Sequence, residues 1–70
     1  MDFIIKNKNQ SLTGMNVSYT NKIEKREINS LIELKKGLKR VKELVIITKD
    51  LEKQENGIKF IPLWKWLLVN

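Results

Sequence analysis

The sequence predicts a small α/β domain with its elements in the order β-β-α-β-β-α, and three observations predict it. From Met15 to Tyr19 apolar and polar residues alternate, which is the period of a half-buried strand. Apolar residues then recur at helical spacing, at Ile28, Leu31, Leu34, Leu38 and Val41, with Ile32 beside them. Leu44-Val45-Ile46-Ile47 follows as an unbroken apolar run of strand length, which suits a strand covered on both faces of a parallel sheet.

The elements follow in order. Asp2 to Lys6 reads as the first strand. Asn7-Lys8-Asn9-Gln10 is polar and carries two turn-favouring asparagines, and Ser11 to Gly14 either continues that turn or begins the next strand. The alternating strand then closes a hairpin with the first. Asn21, with Glu24 three residues on, fits a helix N-cap and its capping-box partner. Gly37 either ends the helix or sits inside it at a cost of about 1 kcal/mol. Lys35, Lys36, Lys39 and Arg40 crowd the last turns, where cations meet the negative end of the helix dipole.

Strand, helix and apolar strand make a crossover unit, expected to be right-handed. Lys49 to Asn56 reads as a charged loop, and Gly57 restarts the chain. Ile58-Lys59-Phe60-Ile61 is the last strand, in an orientation the sequence leaves open. Pro62 suits the first turn of a closing helix. In that helix Leu63, Trp64, Leu67 and Leu68 share one face, so Trp64 is expected in the core. Trp66 points elsewhere, and either covers an edge of the core or meets a partner or a nucleobase.

The 70 residues allow one domain, spanning 1–70. A domain of this size buries only about 60% of its unfolded surface. Without cysteine or histidine there is no disulfide, no thiolate site and no imidazole base or ligand. No P-loop, dinucleotide fingerprint or His-containing metal motif occurs. No apolar run approaches the roughly 18 residues of a membrane span. Met1 to Lys6 does not read as a signal peptide, so a cytoplasmic location without membrane contact is expected. The formal charge of +6, from 14 basic and 8 acidic residues, is either a solvated lysine-rich surface or a face for polyanions.

Asp2 on the first strand, with Asn16 and Ser18 on the second, stands where metal-dependent nucleases of the restriction-endonuclease-like class carry an acidic residue and a Glu-x-Lys pair. In those enzymes the carboxylates hold Mg²⁺ and the lysine helps position the attacking water. Asn16 is a weak Mg²⁺ ligand and Ser18 brings no positive charge, so such a site would be degenerate. The other reading of the three is as ordinary polar strand positions.

A wider resemblance rests on segments in a fixed order. These are Asp2-Phe3-Ile4-Ile5, Met15-Asn16-Val17-Ser18-Tyr19, Lys25-Arg26-Glu27-Ile28, Val45-Ile46-Ile47-Thr48 and the tail Ile58-Lys59-Phe60-Ile61-Pro62-Leu63-Trp64-Lys65-Trp66-Leu67-Leu68. The set resembles the C-terminal domain of archaeal AAA-type ATPases, which implies a truncated restriction-endonuclease-like fold over nearly the whole chain. The catalytic pair is commonly missing from that family's second strand too. The expectation is therefore a non-catalytic accessory or interaction module with no cofactor, no metal and no catalytic residue. Its partners would be an ATPase domain or a second copy of the chain. The alternative is weak, sequence-independent nucleic-acid binding by a basic helix face made of Lys25, Arg26, Lys35, Lys36, Lys39 and Arg40. A third reading keeps metal-dependent cleavage through Asp2 alone.

Overall fold

The computed structural model describes residues 2–69, with side chains described for 4–68. Among them lie strands β1 (Asp2–Lys6), β2 (Leu12–Val17), β3 (Val41–Thr48), β4 (Lys53–Glu55) and β5 (Ile58–Pro62). Helix α1 (Lys25–Gly37) joins β2 to β3, and α2 (Leu63–Val69) follows β5. The strands form one sheet in the order β1-β2-β3-β5-β4. Its three inner strands, β2, β3 and β5, are parallel, and β1 and β4 pair antiparallel on the two edges. This is a mixed α/β sheet with a helix against each face.

The apolar run explains that layering. Along β3, Leu44 and Ile46 join Leu31, Val41, Ile58 and Phe60 in a buried cluster, against which Ile28, Ile32 and Leu34 of α1 pack. The alternate residues Val45 and Ile47 join Met15 on the other face, under Leu63 and Trp66 of α2. Strand residues point alternately to the two faces, so an all-apolar strand needs cover on both, and each helix supplies one side.

Four expectations are corrected. The charged stretch before Gly57 holds the short strand β4, so the order is β-β-α-β-β-β-α. Asn56 and Gly57 both have positive φ, 52° and 78°, and register places Glu55 opposite Ile58. This is a two-residue hairpin loop of the kind Asn-Gly favours, because its twist matches that of the strands. The helix is also shorter than its apolar period suggested. Leu38 leaves the helix in an extended conformation, and Val41 begins β3, where it still reaches the α1-side cluster.

The cap is the third correction. Glu24 is the N-cap and Glu27 the third helical residue. The Asn21 Oδ1 instead accepts the N–H groups of Asp50 and Leu51, at 2.7 and 2.9 Å, and so fixes the loop after β3. The fourth is Pro62, which ends β5 opposite Thr48 rather than opening the helix. The open orientation of the last strand resolves as parallel to β3.

Candidate functional site

The nuclease-like positions come together at the end of β2. Asp2 is directly opposite Asn16 in the β1–β2 ladder, and the Asp2 side chain lies outside the described residues. Asn16 is buried, 4% exposed. Ser18, two residues on, has its Oγ 2.9 Å from Asn16 Oδ1 and 2.5 Å from Glu27 Oε1. The other carboxylate oxygen of Glu27 accepts the backbone N–H of Glu24 at 2.9 Å.

One glutamate thus ties the start of α1 to the end of β2. A capping-box glutamate reaches back to its own cap, and here the same carboxylate also takes the serine. Sequence reasoning did not single out Glu27 as part of this group. The spacing that could have found it is Glu24-x-x-Glu27, overshadowed by the stronger cap residue at Asn21. What the group can do chemically is limited. Its one described carboxylate is engaged twice, and among the described residues no three carboxylates, histidines or cysteines gather as metal ligands.

Beside this end of the sheet lies an apolar surface. Tyr19, just past β2, has φ +44°, a conformation that strains a bulky residue. Its N–H and that of Ser18 both donate to the Ile47 carbonyl, at 3.2 and 2.9 Å. The strained turn leaves the ring 58% exposed. Tyr19, Lys49, Asp50, Leu63, Trp64 and Leu67 line a shallow hollow of about 230 Å³.

The core position expected of Trp64 is corrected, while Trp66 takes the first of its two alternatives and covers the core. Trp66 packs on the Met15–Val45–Ile47 cluster together with Leu63, whereas Trp64 is 55% exposed. Leu63 and Trp66 are three residues apart and fall on one side of α2. That side continues from Ile61, which packs on the same cluster. Trp64, Leu67 and Leu68 are turned outward, the last two more exposed still. Of the two rings, the exposed one is Trp64.

The six helix cations are spread along and beyond α1. Lys25 and Arg26 lie at the start of α1 and Lys35 and Lys36 at its end, about 15 Å further along at 1.5 Å per residue. Arg26 pairs with Glu24 at 3.5 Å, both exposed, a contact worth little in water. Lys39 and Arg40 belong to the turn before β3, and the Arg40 guanidinium donates to the Gln10 carbonyl at 2.8 Å. Among the described residues no helix is long and apolar enough to cross a membrane. Comparison with protein-family models, curated proteins and solved structures gave no match.

Proposed function

We propose that this chain is a non-catalytic accessory module that docks on another protein, in the manner suggested by its resemblance to the C-terminal, restriction-endonuclease-like domain of archaeal AAA-type ATPases. The observation that carries the reading is the outward face of α2. Trp64, Leu67 and Leu68 are exposed, although both faces of the sheet already have their apolar cover. Trp64 and Leu67 line one hollow with Tyr19 and Leu63, and exposed apolar surface of this kind marks a protein contact. The inert half of the proposal is supported by the closed Asn16–Ser18–Glu27 group and by the amide and hydroxyl standing where a nuclease needs a carboxylate and an ammonium.

For the isolated chain the occupant of the α2 face is a second copy, joined about a two-fold axis that sets the same patch against itself. Sedimentation equilibrium over a wide concentration range is the test. A monomer–dimer equilibrium is expected, weakened at least tenfold in Trp64→Ala/Leu67→Ala, since a buried aromatic anchor contributes about 1.4 kcal/mol or more. A strictly monomeric chain overturns the dimer through α2. Incubation of plasmid with Mg²⁺ or Mn²⁺ tests the other half. Cleavage that disappears in Asp2→Ala overturns the non-catalytic reading. A second reading, nucleic-acid binding, draws on a different set of cations, gathered at one end of the sheet.

A further inference from the structure

We propose that the end of the sheet where β1 finishes and β3 begins binds the phosphate backbone of double-stranded nucleic acid, without reading its sequence. The inference stands apart from the docking surface on α2, which lies toward the other end of the parallel strands.

Register builds the site. Lys6 is opposite Leu12, and Leu12 is opposite Val41, so three neighbouring strands start or stop in one row. The ladder skips Lys42, passing from Leu12–Val41 to Thr13–Glu43; a residue skipped in this way is a bulge, which re-aims side chains at a sheet rim. The last turn of α1 sits over the same row. A side-chain carbon on Gly14 would meet Leu34 and Leu44 at 3.0 Å and Val41 at 3.6 Å, so the end of α1 packs on β2 and β3, and Lys35 and Lys36 line a hollow with Leu44, Asn56 and Gly57 at the same end of the sheet.

Two hydrogen bonds lock the hairpin loop carrying Lys8 to the turn carrying Lys39. Arg40 donates to the Gln10 carbonyl, and the Leu12 N–H donates to the Arg40 carbonyl at 3.0 Å. Sequence reading assigned part of this set to a helix face, but the sheet and the hairpin contribute as much as the helix.

The charge is unevenly placed. Seven of the 14 basic residues fall in these segments, and among the described residues none of the seven makes an ion pair. Glu33 and Glu43 are the acidic residues of the same stretches, and Glu43 is held by Lys59 at 3.0 Å. Of the seven cations elsewhere, Arg26, Lys53, Lys59 and Lys65 are paired with glutamates, while among the described residues Lys22, Lys25 and Lys49 make no ion pair. The carbonyl end of α1 adds a partial charge of about −0.5, small against seven cations.

The shape selects the ligand. Two strand spacings span about 10 Å, near the width of a DNA groove, about 6–12 Å. Single-strand binders stack bases on aromatic rings, but among the described residues the exposed rings, Tyr19 and Trp64, stand with Lys49 and Asp50 just past β3, at the far end of the sheet. A bilayer needs apolar anchors beside the charge, and Ile4 and Leu38, 41% and 40% exposed, offer only two half-covered aliphatic side chains.

The test is fluorescence anisotropy of a labelled duplex at low salt, with two triple variants of equal charge. In Lys6→Gln/Lys8→Gln/Lys39→Gln the affinity is expected to fall about tenfold or more, and the slope of log affinity against log salt to become shallower by about 1 for every phosphate no longer neutralised. In Lys22→Gln/Lys25→Gln/Lys49→Gln, away from the site, the change is expected to stay within about threefold. Arginine at positions 6, 8 and 39 should restore binding, which separates removal of charge from failure to fold. Equal decreases in the two triple variants, no binding by the wild type, or binding to phosphatidylserine vesicles without binding to duplex would each overturn the proposal.

Discussion

Ser18 has one proton and two oxygens within reach. A hydroxyl donates to a single acceptor at a time, and the shorter, 2.5 Å contact to the Glu27 carboxylate is the charge-assisted one, roughly twice as strong as a neutral bond. Glu27 is therefore a structural clamp whose removal is felt at two places. Glu27→Ala should destabilise the fold by about 1–3 kcal/mol, the range for a bond to a charged group together with a helix cap. Ser18→Ala should cost less, and the double variant should show at least about 0.5 kcal/mol of coupling. Urea melts of the four proteins measure this; strict additivity would mean that the Ser18–Glu27 bond contributes nothing.

The tryptophans give a second prediction at this scale. Trp66→Ala should cost about 2–4 kcal/mol, somewhat below the value for a fully buried ring, and Trp64→Ala should stay within about 0.5 kcal/mol. Thermal melts that rank the two variants the other way would refute the assignment. Sequence could not phase these rings. In Leu-Trp-Lys-Trp-Leu-Leu-Val only Lys65 is polar, so the apolar residues mark no stripe. Alternation in Met15–Tyr19 marked Asn16 and Ser18 as polar positions but inverted the burial, because β2 is covered on both faces only as far as Asn16: Asn16 is 4% exposed, whereas Val17 is 40% and Tyr19 58%.

Among the elements, the signal that was missed is local and short. β4 has three residues, all exposed and polar, so no periodicity could reveal it. Only the Asn56-Gly57 pair announces the hairpin, through backbone geometry rather than hydrophobicity. Gly57→Ala should then cost about 1–2 kcal/mol, because a Cβ is strained at φ +78° although the space around it is open. Amide exchange should accelerate first in Lys53–Glu55, the strand that depends on the turn. An unchanged melting temperature would argue against the two-residue turn.

Helix α1 illustrates the opposite error. Its apolar period runs on through Leu38 and Val41 although the helix stops at Gly37, because Val41 reaches the same cluster from β3. Packing kept by a different backbone path leaves the sequence pattern intact. The close approach of α1 to the sheet depends on Gly14. Gly14→Val should destabilise by about 1–3 kcal/mol through crowding of Leu34 and Leu44, as denaturant midpoints would register.

At the scale of the whole molecule the apolar and basic surfaces sit at different ends, and binding at the two should depend on salt with opposite sign. The radius of gyration is 11.4 Å, against about 11 Å expected for a chain of this length. The exposed apolar residues of α2 are therefore not a consequence of loose packing. Composition made the net charge legible, but only register and the α1–sheet packing show that half the cations share one end. Two copies that meet through α2 each bring a charge of +6, so their approach is opposed by repulsion, which salt screens over a Debye length of about 10 Å at 0.1 M. Added salt should thus strengthen self-association severalfold, and should weaken duplex binding along a steep log–log line through displaced counterions. A sulfate series should push the dimer further still, because sulfate also favours apolar burial. Sedimentation and anisotropy over one salt series read the two signs independently. If the dimer loosened with salt as the duplex complex does, the interface between copies would be ionic, and the apolar face of α2 would not be what holds them together.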